Sequence, residues 1–466
     1  GPPSPPRAGI AAPAPAGNPF SYDPAQARAL SERAALGNSQ VLFTKSPGGA
    51  IATAARVAAL RALIQRAVRG TDISAALLEG LVFVESAGRS QVIAGDSVED
   101  AAGLTQILAG TAQTMLGMRV RLRASQRLTD RIAAAQAAGQ EKLVRHLEAE
   151  RARVDQRFNP ELELAGTVRY LRTAQRALGG RADLATAAYH AGIGNIQQVL
   201  GAYDGGHAVP YAQLYFDSSL DAHTAALQAL EQLTDDGARY YWRVLGAERI
   251  MSLWRTDRAA LRRWALQAEA FPSDALVLLG LTPSSGGGVP ATSGAVPVYS
   301  DPDALAHAYW AKPAQLRPLP RNAGALHLRY DPAMGELAPK LGAPRAIYRG
   351  LRPVALRMLI QIAAWADRLA GTAAPLTVAE TVQDSRYSAR EGFDDDPPAA
   401  TGYTFQIQRR YASEAQRGAF QFVLDRLQDL NLIAWIRGAT TIEITVAPDA
   451  ERALAHGLGG LPGLRG

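Results

Sequence analysis

The sequence predicts a mainly α-helical N-terminal domain followed by a smaller α+β C-terminal domain. Three observations carry that expectation. From Pro24 to about Ala268, Ala, Leu, Arg and Gln recur at three- and four-residue spacing, with little β-branched alternation. Residues 272–299 then carry the densest Pro, Gly and Ser punctuation in the chain, including Ser284-Ser-Gly-Gly-Gly288. Beyond them, period-two apolar runs set in.

Residues 1–22 are rich in Pro, Ala and Gly and read as an extended, flexible tether. The opening Gly-Pro fits a protease scar, and a Pro/Ala stalk fits an exported protein whose signal peptide has been removed. The helical domain is expected over 23–271. Within it, Thr71-Asp72 is expected to cap a helix carrying Ile73, Leu77, Leu78, Leu81 and Val84. Between Arg119 and Arg157 lie ten basic and five acidic residues, and Ala137-Ala-Gly-Gln140 interrupts the helical pattern. That segment, near 117–158, reads as an inserted basic helical hairpin, either a solvated one or an electrostatic arm for anionic groups.

Residues 272–299 read as a linker and 300–466 as the α+β domain. In that domain, helices are expected at 302–311 and 350–370. Strands are expected at Leu376-Thr-Val-Ala-Glu-Thr-Val382, Tyr403-Thr-Phe-Gln-Ile407 and Thr441-Ile-Glu-Ile-Thr-Val446, with a long helix from Ser413 to Leu430.

Composition narrows the chemistry. The 466 residues contain no cysteine, which excludes disulfides, thiolate metal sites and a cysteine nucleophile. No run approaches 18 apolar residues, so no transmembrane segment is expected. The formal charge is +6, and four lysines leave 45 arginines. A positive balance points weakly to anionic partners. Aromatic-interleaved basic strands and zinc-finger spacings are missing, so nucleic acid is not an expected partner.

Three short segments stand in an informative order: Leu81-Val-Phe-Val-Glu-Ser86; Gly103-Leu-Thr-Gln-Ile107, continued by Gly110-Thr-Ala112; and Ala187-Ala-Tyr-His-Ala-Gly-Ile-Gly194. Together they resemble the ES, GLMQ and AYNAG patterns of soluble lytic transglycosylase domains, over roughly residues 50–250. Asn159-Pro-Glu-Leu-Glu-Leu-Ala165 and Tyr240-Tyr-Trp-Arg-Val-Leu245 extend the likeness.

The resemblance implies a lysozyme-like fold and cleavage of the β-1,4 bond between N-acetylmuramic acid and N-acetylglucosamine in peptidoglycan, with a 1,6-anhydro product. It implies Glu85 as the acid and then the base, with no cofactor and no metal. Gln106 and Tyr189 would shape the sugar cleft, with Ser86, Thr105, His190 and Tyr240 as further substrate-binding candidates. Thr105 stands where the family carries methionine, His190 where it carries asparagine. The substrate would place the protein in the extracytoplasmic envelope, with glycan strands and stem peptides as partners, and would make the basic hairpin an arm for the carboxylates of peptidoglycan stems or for anionic wall polymers.

The residues themselves make that chemistry reasonable. Glu85 follows Val82-Phe-Val84, where desolvation favours the neutral acid. Such an acid protonates a glycosidic oxygen, and attack by the sugar's own C6 hydroxyl removes the need for a second carboxylate. The plain alternative is a helix-terminal glutamate pairing with Arg89. At the level of function, a hydrolytic muramidase and a non-catalytic peptidoglycan-binding scaffold remain the alternatives.

Residues 376–448 resemble, less specifically, the zinc-dependent D-alanyl-D-alanine peptidases of the VanY-like group. The positions matching their metal ligands hold Ala399, Gln406 and Glu443, which offer at most one ligand where about three are needed. The resemblance thus implies a domain without peptidase chemistry, suited to holding stem peptides or to docking.

Overall fold

The computed structural model describes residues 21–270, 272–278, 296, 298–392 and 397–456. The expected tether at 1–22 lies almost entirely outside them. The chain divides into two compact units, one made of Asn38–Ser218 with Ala225–Ala265, the other of the remaining described residues. The expected classes are observed: the first unit is helical, and the second is α+β.

Six helices of the first unit build and brace its candidate site: α1 (Ala75–Ser86), α2 (Leu122–Ala137), α3 (Glu141–Val154), α4 (Pro160–Ala177), α5 (Ala182–Ala191) and α6 (Tyr240–Thr256). The cap of α1 is Ser74 rather than Thr71-Asp72, because the Ser74 hydroxyl accepts from the Leu77 amide at 3.1 Å. Thr71 closes the turn before it, its hydroxyl donating to the Val68 carbonyl at 2.7 Å. Ile73 is buried but precedes the helix. At its other end α1 stops abruptly, as Ala87 and Gly88 both take positive φ (55° and 76°). Glu85 is thereby left in the last turn, where the helix ends rather than continues over it.

α1 and α6 pack along most of their lengths, and Gly80 sets how close they come. A Cβ there would lie 2.9 Å from the Val244 carbonyl oxygen and 3.0 Å from its Cγ1. The basic segment is a hairpin of α2 and α3, turning at Gly139 with φ 66°. It closes on a small core of Ile132, Ala135 and Leu147. α4 opens with Pro160 in its first turn under an Asn159 cap, whose side chain accepts from the Leu162 amide at 3.1 Å.

Among its described residues the second unit has seven strands: β1 (Arg317–Pro318), β2 (Leu328–Tyr330), β3 (Gly350–Leu351), β4 (Leu376–Glu380), β5 (Thr404–Gln408), β6 (Ile433–Arg437) and β7 (Thr441–Val446). β1 pairs with β3, and the main sheet runs β2-β4-β5-β7-β6, parallel only at β2-β4. Helices α7 (Pro353–Ala370) and α8 (Glu414–Asp429) pack on each other, α7 also meeting β7 and α8 meeting β6. Alternation sorts the strands: Phe405, Ile407, Ile442, Ile444 and Val446 are buried. Gln406 stands opposite Glu380 on one side and Glu443 on the other, in a polar row.

Three sequence expectations need correction here. Residues 272–299 are not all linker: Ser273–Leu278 is a helix packed on β6 and β7, with Leu276, Val277 and Leu278 buried. The helix expected from 350 starts at Pro353, since Gly350-Leu351 pairs with β1 as β3. The Ala27–Gly37 helix joins the second unit instead of the helical domain. Buried Arg33 donates to the carbonyls of Leu430 and Asn431, both at 2.9 Å, and Gly37 leaves no room for a Cβ against the Asp429 carbonyl.

The Gly80 contact yields a test with an informative sign. On a solvent-facing helix, Gly→Ala stabilises by about 1 kcal/mol. Here Gly80→Ala overpacks the α1–α6 contact and should destabilise by about 1–3 kcal/mol. A thermal melt with an unchanged or raised midpoint would show that the two helices part without cost.

Candidate active site

Glu85 sits in the last turn of α1, half-buried, beside the buried Val82 and Phe83. Tyr240, at the first position of α6 and 3% exposed, donates its hydroxyl to Glu85 Oε1 at 2.5 Å. Burial penalises the carboxylate and pushes its pKa up to about 7, while the Tyr240 hydrogen bond pulls the other way and is the smaller effect. The group is therefore poised between acid and base near neutral pH.

Around this pair is a group of aromatic side chains. The His190 ring stacks on Tyr240, with centroids 4.9 Å apart and planes 13° from parallel. Burial lowers the His190 pKa from its ordinary value, which favours a neutral imidazole. Tyr189, half-buried on α5, meets Tyr170 of α4 edge-on at 5.2 Å. Its hydroxyl donates to the Thr105 carbonyl at 2.7 Å. Burial first, then the field of Glu85, raises the Tyr189 pKa. The same two causes, in the same order, raise that of Tyr240. Both phenols are thus donors throughout the ordinary pH range.

The loop carrying Gly103-Leu-Thr-Gln-Ile107 is held from below by two buried ionisable side chains. Glu163, on α4, accepts from the Leu104 amide at 2.6 Å and the Thr105 amide at 3.3 Å. Arg157 makes a two-point contact with Asp155 and donates to the carbonyls of Val98, Asp100 and Ile107 at 2.5, 2.9 and 3.1 Å. Gly103, at φ 87°, admits no Cβ between the Arg157 carbonyl and the Glu163 carboxylate. The loop's shape is set by these contacts, and the Thr105 carbonyl receives Tyr189 as a result.

Of the candidates named from the sequence, Glu85, Tyr189, Tyr240 and His190 come together. Gln106 is half-buried with φ 54°, and its side-chain nitrogen donates to the Val92 and Gly103 carbonyls at 3.1 and 2.9 Å. Among the described residues no hydrogen bond joins it to Glu85, so its visible work is shaping the loop.

Thr105 is not on a cleft wall. It is fully buried, with its hydroxyl 2.7 Å from that of Thr167. Ser86 is also buried and donates back to the Val82 carbonyl at 3.2 Å, within its own helix. Arg89 donates to the Ser86 carbonyl at 3.2 Å, and among the described residues it makes no ion pair with Glu85.

Sequence reasoning missed Glu163 and Arg157 as organisers of the loop and Tyr170 as a neighbour of Tyr189. A signal for Glu163 was present, since it lies one turn before buried Thr167 on the helix face that carries Leu164, Val168 and Leu171. Two other carboxyls of the helical unit are placed differently: buried Glu79 pairs with Arg61 and Arg255, and half-buried Glu248 on α6, also pushed up to about 7 by burial, lies beside Gly80 of α1. Among the described residues no group of three His, Cys, Asp or Glu is arranged to hold a metal ion.

The raised pKa makes a stability prediction with a definite sign. An acid whose folded pKa exceeds its unfolded value stabilises the fold fully below the unfolded value, and this is lost as pH rises to the folded one. For Glu85 the window runs from about 4.5 to about 7, an effect of the order of 3 kcal/mol. Glu85→Gln should therefore raise the melting temperature relative to wild type more at pH 8 than at pH 5. Equal differences at the two pH values would mean the carboxyl is not penalised by burial.

Comparison of the chain with known protein families, with curated proteins and with solved structures finds no match.

Proposed function

We propose that the helical unit is a lysozyme-like lytic transglycosylase that cleaves the β-1,4 bond between N-acetylmuramic acid and N-acetylglucosamine in peptidoglycan. The observation that carries this reading is the Glu85 carboxyl, desolvated and held by the Tyr240 hydroxyl beside Tyr189. The three sequence segments that resemble the family's patterns supply the substrate. On this reading the protein works in the extracytoplasmic envelope and needs neither cofactor nor metal.

In the first half-reaction, protonated Glu85 gives its proton to the glycosidic oxygen as the bond to C1 breaks, leaving a free N-acetylglucosamine hydroxyl and an oxocarbenium-like centre. In the second, the Glu85 carboxylate takes the proton of the C6 hydroxyl while that oxygen bonds to C1. The glutamate returns to its starting state, and no water enters. Tyr240 orients the carboxyl through both steps by donating to Oε1. Tyr189, tied to the Thr105 carbonyl, forms part of the wall beside it. A lone acid suffices because the second nucleophile belongs to the substrate.

The second unit is proposed to hold or position stem peptides. Ala399 is buried, and Gln406 and Glu443 stand opposite each other in the sheet where the peptidase resemblance calls for metal ligands.

Digestion of purified sacculi, with the released muropeptides weighed by mass spectrometry, tests the main reading. Wild-type protein should release products ending in 1,6-anhydro-N-acetylmuramic acid, one water lighter than reducing ends. Glu85→Gln should lower the rate by about 10²–10⁴-fold. Reducing ends would make the protein a hydrolytic muramidase. Sacculus binding without any release would make it a scaffold.

A further inference from the structure

The basic hairpin carries its charge unevenly. Arg151 and Arg157 are buried and structural: Arg151 lies over the Phe158 ring at 3.7 Å and donates to Thr129 and Gln91, while Arg157 braces the loop that carries Gln106. On α3 basic and acidic side chains are near neighbours, with the His146 ring 3.0 Å from Glu150 and Arg145 4.0 Å from Glu141. On α2 they are not.

Arg119 and Arg121 lead into that helix, and Arg123, Arg127 and Arg131 repeat every four residues along it. All five are exposed, and among the described residues none is in an ion pair. The stretch 119–137 has one acid, Asp130, which accepts a hydrogen bond from Gln126 at 2.9 Å.

The arginine stripe lies away from the face that α2 buries through Ser125, Ile132 and Ala135. At 1.5 Å per residue, Arg123 to Arg131 spans about 12 Å. Like charges at four-residue spacing destabilise a helix slightly, so the row is not there to support α2.

The hairpin is also fastened to the segment that leads into the loop with Gln106. Gln126 accepts from the Val98 amide at 3.0 Å, and Arg151 donates to Gln91 at 2.8 Å. A polymer held along α2 is therefore held by an element braced against that segment.

We propose that the exposed Arg123–Arg127–Arg131 face of α2, with Arg119 and Arg121 at its base, is a docking surface for the stem-peptide carboxylates of peptidoglycan. This rests on the transglycosylase reading for the identity of the polymer. The charge complementarity stands on the α2 side chains alone. Guanidinium groups pair with carboxylates in two-point contacts. A row of them captures repeated acids by many weak contacts, each sensitive to salt.

The test is co-sedimentation of the full chain with purified sacculi, intact or stripped of stem peptides, at about 20 mM and about 300 mM salt. Wild-type binding to intact sacculi should weaken as salt rises. Arg123→Glu/Arg127→Glu/Arg131→Glu should bind about tenfold more weakly at low salt and equally at high salt. Both proteins should bind stripped glycan alike. The Arg→Gln triple variant should show a smaller loss in the same direction and serves in place of the reversed one should that one fold poorly.

Wild-type-like binding of the reversed variant to intact sacculi at low salt would overturn the proposal. So would a difference that persists on stripped glycan. Salt-dependent binding of the wild-type protein without any glycan cleavage would count against the transglycosylase and leave the arm standing.

Discussion

The site depends on one close approach. α1 and α6 can lie near enough for Tyr240 to reach Glu85 because position 80 has no side chain in the way of the Val244 backbone. That closeness also shields the carboxyl from water, and desolvation keeps an ordinary glutamate from ionising until about pH 7. Tyr240 contributes to the burial while partly offsetting its effect through the hydrogen bond. Packing and acid–base poise are thus two consequences of a single helix crossing.

A second constraint acts from the side of the loop. Glu163 and Arg157 are buried ionisable groups whose partners are mostly backbone: two amides for the carboxylate, three carbonyls and Asp155 for the guanidinium. Buried charged groups of this kind are costly unless satisfied. Satisfied, they give an irregular segment a fixed course that helix propensity alone would not specify. Tyr189 then has a defined acceptor in the Thr105 carbonyl, and its ring stays against Tyr170.

Local signals in the chain report the elements well and the contacts poorly. Helical periodicity and the alternation of Phe405, Ile407, Ile442 and Ile444 suffice for the two structural classes, because core-facing spacing is a property of each segment alone. Ile433–Arg437 escapes because its buried residues fall in a short run without clear alternation, and Leu328–Tyr330 because three residues carry too little pattern. The Ala27–Gly37 helix reads as part of the helical domain because Arg33 looks like any surface arginine until Leu430 and Asn431 meet it.

In the site, Glu85 can be singled out from its apolar neighbours in sequence. Thr105 and Ser86 cannot be sorted into wall or core, since their burial comes from α4 and from the turns of α1. Gln106 shows the same limit. A motif position says which residue matters, and the folded loop shows that its amide holds backbone carbonyls.

The most direct measurement of the central claim is a carbon-13 NMR titration of the Glu85 side-chain carboxyl in the intact protein, assigned by its loss in Glu85→Gln. A midpoint near 7, moving higher in Tyr240→Phe as the hydrogen bond to the carboxylate is removed, is the predicted result. A midpoint near the ordinary 4.5, unmoved by Tyr240→Phe, would contradict it and leave the helical unit without its acid.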